Sequence, residues 1–218
     1  MADYHLIIGN RKYSSWSFRG WLAMKLSGVE FEETVIPLDL PETQDMLAKH
    51  SPTNRVPCLM HGDAVVWDSL AIAEYMAEQA SSSGLWPADA RLRAHARSIV
   101  AEMHSGFTAL RSDFPMDMAR RHNGVMPSAA VEADVARIDQ IWADCVRRYG
   151  GPYLFGEWCL ADCFYAPVVS RFETYGIATG LASTSYAERV KQHPHYQEWH
   201  AAAQNEPWET PLEVLMGR

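Results

Sequence analysis

Three short stretches of this 218-residue chain carry residue types able to grip or activate a small ligand. Val56-Pro57-Cys58-Leu59 sets a proline ahead of an apolar run, and Asp68-Ser69-Leu70-Ala71-Ile72-Ala73 sets an acid and a hydroxyl ahead of a helical pattern. Proline offers a strand ladder no N–H, so it belongs at a strand's first residue or edge, and a Val-Pro bond is among the few peptide bonds that adopt cis at modest cost. An Asp-Ser pair at a helix start lies beside unpaired N–H groups and the positive end of the helix dipole, which attract a carboxylate. Together the two stretches predict a holder for a small anionic peptide.

The third stretch, Tyr13-Ser14-Ser15-Trp16-Ser17-Phe18-Arg19, brings two hydroxyls to the point where a first strand hands over to a first helix. A serine there is by default an N-cap. The same geometry suits a second role, because a hydroxyl beside free N–H groups can donate to a thiolate that the helix dipole also stabilises. A free thiol has a pKa of ~8.5, and each unit by which it is lowered corresponds to ~1.4 kcal/mol of interaction. A shift of one or two units raises the thiolate fraction several-fold at neutral pH with no general base.

The elements that must position these groups alternate over the first eighty residues. Tyr4–Gly9 reads as a buried strand, and Trp16–Leu26 as a helix with Phe18, Trp21, Leu22 and Leu26 on one side. Glu32–Pro37 reads as a second strand and Pro41–Lys49 as a polar helix. Cys58–His61 and Ala64–Trp67 pair across Gly62-Asp63, a two-residue loop suited to a II′ turn, and Ser69–Ala80 closes the unit as a helix. The order β-α-β-α-β-β-α predicts an α/β sandwich of thioredoxin type over residues 1–80. Ser81-Ser82-Ser83-Gly84 opens a linker at 81–90. Over 91–218 the patterns are helical: Ile99, Met103, Phe107, Leu110 and Phe114 in one helix, Val131 to Tyr149 in a second, and Leu160, Phe164, Val168 and Phe172 in a third, with a kink expected at Pro167. Shorter helices at Tyr186–Gln192 and His195–Asn205 complete an all-α bundle.

Bulk composition narrows the function. With 48% hydrophobic residues and 21% charged, the chain is globular, and its net charge of −8 argues against a nucleic-acid partner. No stretch has the length and apolarity of a membrane span, and Tyr4-His5-Leu6-Ile7-Ile8 follows the N-terminus without the basic region of a signal peptide. Cys58, Cys145, Cys159 and Cys163 show no C-x-x-C spacing and read as buried free thiols in a reducing cytoplasm. His193, His195 and His200 lack the i, i+4 pairing of a helical zinc site, so no metal is expected. Serine hydrolase chemistry would require a G-x-S-x-G elbow, which is missing from the sequence.

The order and spacing of the Ser junction, the Val-Pro strand start and the Asp-Ser helix start resemble the cytosolic glutathione transferase family over nearly the whole chain. Ser14-Ser15-Trp16-Ser17-Phe18-Arg19 is closest to its serine-type branch, and in particular to the zeta motif Ser-Ser-Cys-x-Trp-Arg. The resemblance implies glutathione as cosubstrate and a dimer of identical chains. Ser14 falls on the catalytic serine that donates to the glutathione sulfur, with Ser15 next to it as the other candidate. Val56, ahead of a cis Pro57, falls on the residue whose main chain pairs with the cysteinyl part. Asp68 and Ser69 fall on the pair that holds the γ-glutamyl end, and Arg55 lies where a basic side chain meets the glycyl carboxylate. Arg19 is expected to tie the first helix to its surroundings.

This chain departs from the zeta motif at two positions. Trp16 replaces the zeta cysteine, removing a thiol and adding a bulky ring, and Phe18 replaces the tryptophan. With no cysteine between residues 10 and 20, a mixed-disulfide transferase is disfavoured. A further family signature, Gly156-Glu157-Trp158-Cys159-Leu160-Ala161-Asp162, carries Cys159 where the family places a Ser or Thr helix cap three residues before Asp162. The leading expectation is transfer of glutathione to a small apolar electrophile. The alternatives are a glutathione-binding protein without catalysis and a zeta-like cis–trans isomerase of a small diacid. Met103, Phe107 and Phe114 read first as bundle core and second as lining for the electrophile.

Overall fold

In a computed structural model that describes residues 3–80 and 84–216, the strands follow the alternation of the sequence. Along β1 (Tyr4–Ile8), Leu6 and Ile8 enter one apolar cluster and Ile7 enters another, because successive strand side chains point to opposite faces. The larger cluster lies on the face covered by α1 (Ser15–Ser27) and the helical half. The smaller one joins Ile7, Ile36, Leu47 and Cys58 beneath α2 (Thr43–Ala48). Strands β2 (Phe31–Val35), β3 (Cys58–His61) and β4 (Ala64–Trp67) complete a sheet of order β2-β1-β3-β4. Strand β1 runs parallel to β2 and antiparallel to β3, which turns back into β4. Gly62 takes the positive φ, 55°, that the first loop position of a II′ hairpin requires. With α3 (Ser69–Gln79) this is the thioredoxin-like βαβαββα unit.

The remaining described residues form α4 (Ala90–Ser105), α5 (Thr108–Asp113), α6 (Ala129–Tyr149), α7 (Leu160–Tyr175), α8 (Leu181–Lys191), α9 (Pro194–Gln204) and α10 (Leu212–Met216). Helix α7 is the axis of this all-helical half: every residue but Glu173 is buried, which is why it shows no polar face. It packs on α4 and also on α1, so the two halves share one continuous core. Trp199 of α9 stacks on Phe18 at 4.9 Å, and its indole N–H donates to the Arg11 carbonyl at 3.1 Å. All four cysteines are buried free thiols. No helix among the described residues is long and apolar enough to cross a membrane.

Several expectations needed correction. Ile99 to Phe114 do not form one helix. The chain breaks at Gly106, and Phe107 caps α5 in the left-handed region at φ 54°. A Cβ at Gly106 would lie 2.7 Å from the Glu102 carbonyl oxygen, so only glycine fits the turn. The second strand ends at Val35, before Pro37, although Ile36 N–H still reaches the Ile8 carbonyl at 2.8 Å. Helix α10 was not expected. The loop before α7 adds the isolated bridges Tyr153–Gly156 and Phe155–Glu157. Of the serine-rich linker stretch, residues 81–83 lie outside the described residues.

The start of α7 is built as anticipated. Buried Asp162 takes the N–H of Cys159 at 2.9 Å and that of Leu154 at 3.1 Å. Burial raises its pKa to about 6 despite these donors. Cys159 sits at the N-cap with a sulfur, a weak acceptor, where a hydroxyl would serve the reciprocal N–H.

Two stability predictions follow from these turns. Gly106→Ala should lower unfolding stability by more than about 1 kcal/mol, seen as a lower denaturant midpoint. Cys159→Ser should raise stability by roughly 0.5–1 kcal/mol, and an unchanged or lower melting temperature would count against the cap.

Candidate functional site

The loop after β1 and the first turn of α1 are closed by a chain of hydroxyls. The Ser14 hydroxyl donates to the Ser17 Oγ at 2.8 Å and accepts from the Ser17 N–H at 3.3 Å, while Ser17 Oγ accepts from the Gly9 N–H at 2.9 Å. Ser14 is thus the N-cap of α1. Ser15 opens the helix itself. Its Oγ accepts from Nη2 of Arg171 at 3.2 Å, and no acceptor for its proton is found among the described residues.

A cavity of about 630 Å³ opens at this helix start. One wall is Ser14, Ser15 and Trp16. The facing wall carries Leu38, Asp39, Arg55 and Val56, and the helical half contributes Arg111, Met116, Arg171 and Leu215. Val56 precedes a cis bond to Pro57. Pro57 lies under α1, where a Cβ on Gly20 would sit 2.9 Å from its ring, so glycine allows this close approach. The structure therefore brings Ser14, Ser15, Arg55 and Val56 into one cavity, with Pro57 behind it.

Asp68 and Ser69 lie outside this lining, at the N-terminus of α3. Asp68 adopts φ 76°, a sparsely populated conformation for a non-glycine residue. Its Oδ1 accepts from the N–H groups of Leu70 at 2.8 Å and Ala71 at 3.4 Å, and its Oδ2 lies 3.3 Å from Nε2 of His104. Burial opposes its ionisation, but the His104 contact and the backbone donors outweigh that and hold the carboxyl below its ordinary value. The Ser69 hydroxyl is buried and has no hydrogen-bond partner among the described residues. His104 links this end to the cavity, because its ring meets Trp16 edge-on at 5.1 Å.

Cations gather around Trp16. The Arg19 guanidinium lies 4.6 Å from the Trp16 ring centre and that of Arg111 lies 5.1 Å from it. Arg19 is fully buried, donates from Nε to the Phe164 carbonyl at 3.1 Å, and has no hydrogen-bond partner for either Nη among the described residues. It ties α1 to α7, as expected. Desolvation, aided by the charges of Arg171 and Arg111, pulls its pKa well below the ordinary arginine value. Arg171 is held by the Phe114 carbonyl at 2.9 Å, and its burial together with Arg111 lowers its pKa to about 10.

His104, Arg111 and Arg171 were not singled out from the sequence. Arg171 carried a signal, the one charge in the mostly apolar run from Ala166 to Phe172; Arg111 and His104 carried none. Met103, Phe107 and Phe114 belong to the core, not to the cavity lining. His193 stacks on Trp158 at 3.8 Å and caps α9 by accepting the His195 N–H at 3.3 Å.

Comparison with known proteins finds relatives by sequence and by fold. Residues 13–79 match the family model of the glutathione S-transferase N-terminal domain. Glutathione S-transferase 1 of Dianthus caryophyllus is 30% identical over 172 residues, covering 72% of this chain and 72% of that protein. Glutathione S-transferase L1 of Arabidopsis thaliana is 25% identical over 158 residues, covering 72% of this chain and 62% of the relative. The chain spans about three-fifths of the length of several such curated relatives. Among solved structures, a glutathione transferase homolog from Burkholderia with bound glutathione superposes with a TM-score of 0.71 at 26% identity, covering 93% of this chain and 99% of that one. A bacterial zeta-class maleyl pyruvate isomerase superposes with a TM-score of 0.70 at 25% identity, with 93% and 99% covered.

The hydroxyl chain at α1 makes one prediction. Ser14→Ala should cost about 1 kcal/mol of unfolding free energy, the usual loss for an N-cap, measurable by urea denaturation.

Proposed function

The chain belongs to the glutathione S-transferase family, and on that footing we propose that it binds glutathione and transfers it to a small electrophile. In this reading the peptide lies along the cavity wall. The Val56 main chain, ahead of Pro57, pairs with the cysteinyl part, and Arg55 meets the glycyl carboxylate. Asp68 and Ser69, at the positive end of the α3 dipole, hold the γ-glutamyl end. The unpartnered Ser69 hydroxyl suits that role. The observation that carries the reading is that one cavity joins the N-terminus of α1, with its two serines, to Arg55 and Val56.

The glutathione thiol loses its proton to solvent, and a serine hydroxyl donates to the sulfur left behind. Of the two candidates the geometry favours Ser15, since the Ser14 proton is committed to Ser17. The thiolate attacks the electrophilic carbon; a C–S bond forms as the carbon–halide bond breaks and halide leaves. Trp16, Met116 and Leu215 offer an apolar surface for the second substrate. A homodimer acting in the cytoplasm, without a metal, belongs to the same reading.

A second reading is favoured by a specific observation: Arg111 and Arg171 line the cavity, and no ion pair to either is found among the described residues. Two guanidinium groups suit a substrate carrying carboxylates, as in a glutathione-dependent cis–trans isomerisation of a small unsaturated diacid. A third possibility, glutathione binding without catalysis, predicts affinity with no turnover of either substrate.

Calorimetric titration with glutathione, with assays on chlorodinitrobenzene and on maleylpyruvate, separates these readings. The transferase reading expects binding and conjugation of the aryl halide. Ser15→Ala should lower kcat/KM by ~10–100-fold, equivalent to losing one hydrogen bond to a charged group. Undiminished turnover by Ser15→Ala would remove that residue from the mechanism.

A further inference from the structure

Two serines stand at the start of α1, and their surroundings differ in what they do with the hydroxyl proton. A hydroxyl has one proton to give and two lone pairs with which to accept. Ser14 gives its proton to Ser17 Oγ, which also takes the Gly9 N–H, so turning the Ser14 hydroxyl toward a ligand would give up its bond to Ser17. Ser15 is engaged only as an acceptor, and its donor is a guanidinium.

We propose that Arg171 is a positioning residue for the thiolate: by donating from Nη2 to Ser15 Oγ, it occupies that oxygen and leaves the hydroxyl proton to point at the glutathione sulfur. The inference rests on the reading that the chain binds glutathione with its sulfur at this helix start. A cation donating to a hydroxyl oxygen also polarises the O–H bond, making it a stronger donor to the sulfur. The arrangement requires an arginine. Nε is held by the Phe114 carbonyl at 2.9 Å and Nη1 by the Pro167 carbonyl at 3.4 Å, and this planar fork aims Nη2 at Ser15. A lysine keeps the charge and loses the aim.

The energetics point the same way. A buried cation without a carboxylate is costly, and an arriving thiolate supplies the missing negative charge in a poorly solvated place. Other charged or titratable groups face this corner: Arg19 from α1, Arg111 from α5, Tyr175 from α7, and Asp39 and Arg55 from the opposite wall. They are common to every variant below, so differences between variants report on Ser15 and Arg171. No carbon bond changes in this step; the thiol proton passes to solvent and the sulfur keeps the electron pair.

The test is a titration of the glutathione thiol on the intact protein, followed by the ultraviolet absorbance of the thiolate, with calorimetric affinity measured alongside. Ser15→Ala and Arg171→Lys should each raise the bound thiol's pKa by about one unit, about tenfold less thiolate below both values. The double variant should shift it no further than either single one, because the two act as a unit. Ser14→Ala should shift the pKa by less than Ser15→Ala does, while lowering thermal stability. A raised pKa in Ser14→Ala without one in Ser15→Ala would overturn the assignment, and this pair decides even if Arg171→Lys fails to fold. Additive shifts in the double variant would also overturn it, since Arg171 would then act apart from Ser15. Wild-type protein that binds no glutathione sinks the inference and the functional reading together. Binding with any other pattern of shifts sinks the inference alone.

Discussion

The seam between α1 and α7 is closed by two buried guanidinium groups, one from each helix, and the rest of the molecule is arranged around them. Arg19 of α1 donates to a carbonyl of α7, and Arg171 of α7 donates to the first hydroxyl of α1. Each bond crosses from one half of the chain to the other. A buried polar group left without its partner costs on the order of 1–3 kcal/mol, and more when charged, so these reciprocal contacts constrain how the halves meet. Aromatic rings do the remaining work of burial. Trp16 and Phe164 lie against Arg19, so its charge is screened by π faces instead of by a carboxylate.

That seam places a concentration of positive charge in a protein whose net charge is −8. Acidic side chains pair outward, as Glu74 with Arg97 and Glu102 with Arg137, while Arg111 and Arg171 face the cavity. The helix dipole of α1 points its positive end to the same place. The proposed ligand, a small peptide with a thiol and two carboxylates, is complementary in charge to this field. Asp39 in the cavity wall and Asp68 at the start of α3 are exceptions near the site, and the Asp68 carboxyl is held below its ordinary value.

Much of the fold was legible because its cause is local. The unbroken apolar run Leu6-Ile7-Ile8 encodes a strand buried on both faces, Gly62-Asp63 encodes a hairpin, and Asp68 before Ser69 encodes a helix start. Where the reading failed, local periodicity was misleading. Ile99 through Phe114 keep helical spacing across the break at Gly106 because α4 and α5 face the same core, and a period cannot reveal that the axis has turned. Helix α10 is a five-residue turn too short to show a period. The site was half legible in the same sense. Ser14, Ser15, Arg55 and Val56 come from the unit whose order announced itself, whereas His104, Arg111 and Arg171 come from helices that reach the cavity only through packing.

The sequence by itself determined most element types, the two-part architecture and the two serines at the start of α1, because capping, alternation and turn chemistry act over a few residues. Only the tertiary structure decided how the two serines divide their work. Adjacent along the chain and alike in chemistry, Ser14 and Ser15 differ in their partners: one turns inward to Ser17 and closes the loop, the other meets an arginine 156 positions away. The direction of a hydroxyl proton depends on which donors and acceptors surround it, and those are set by how distant helices pack.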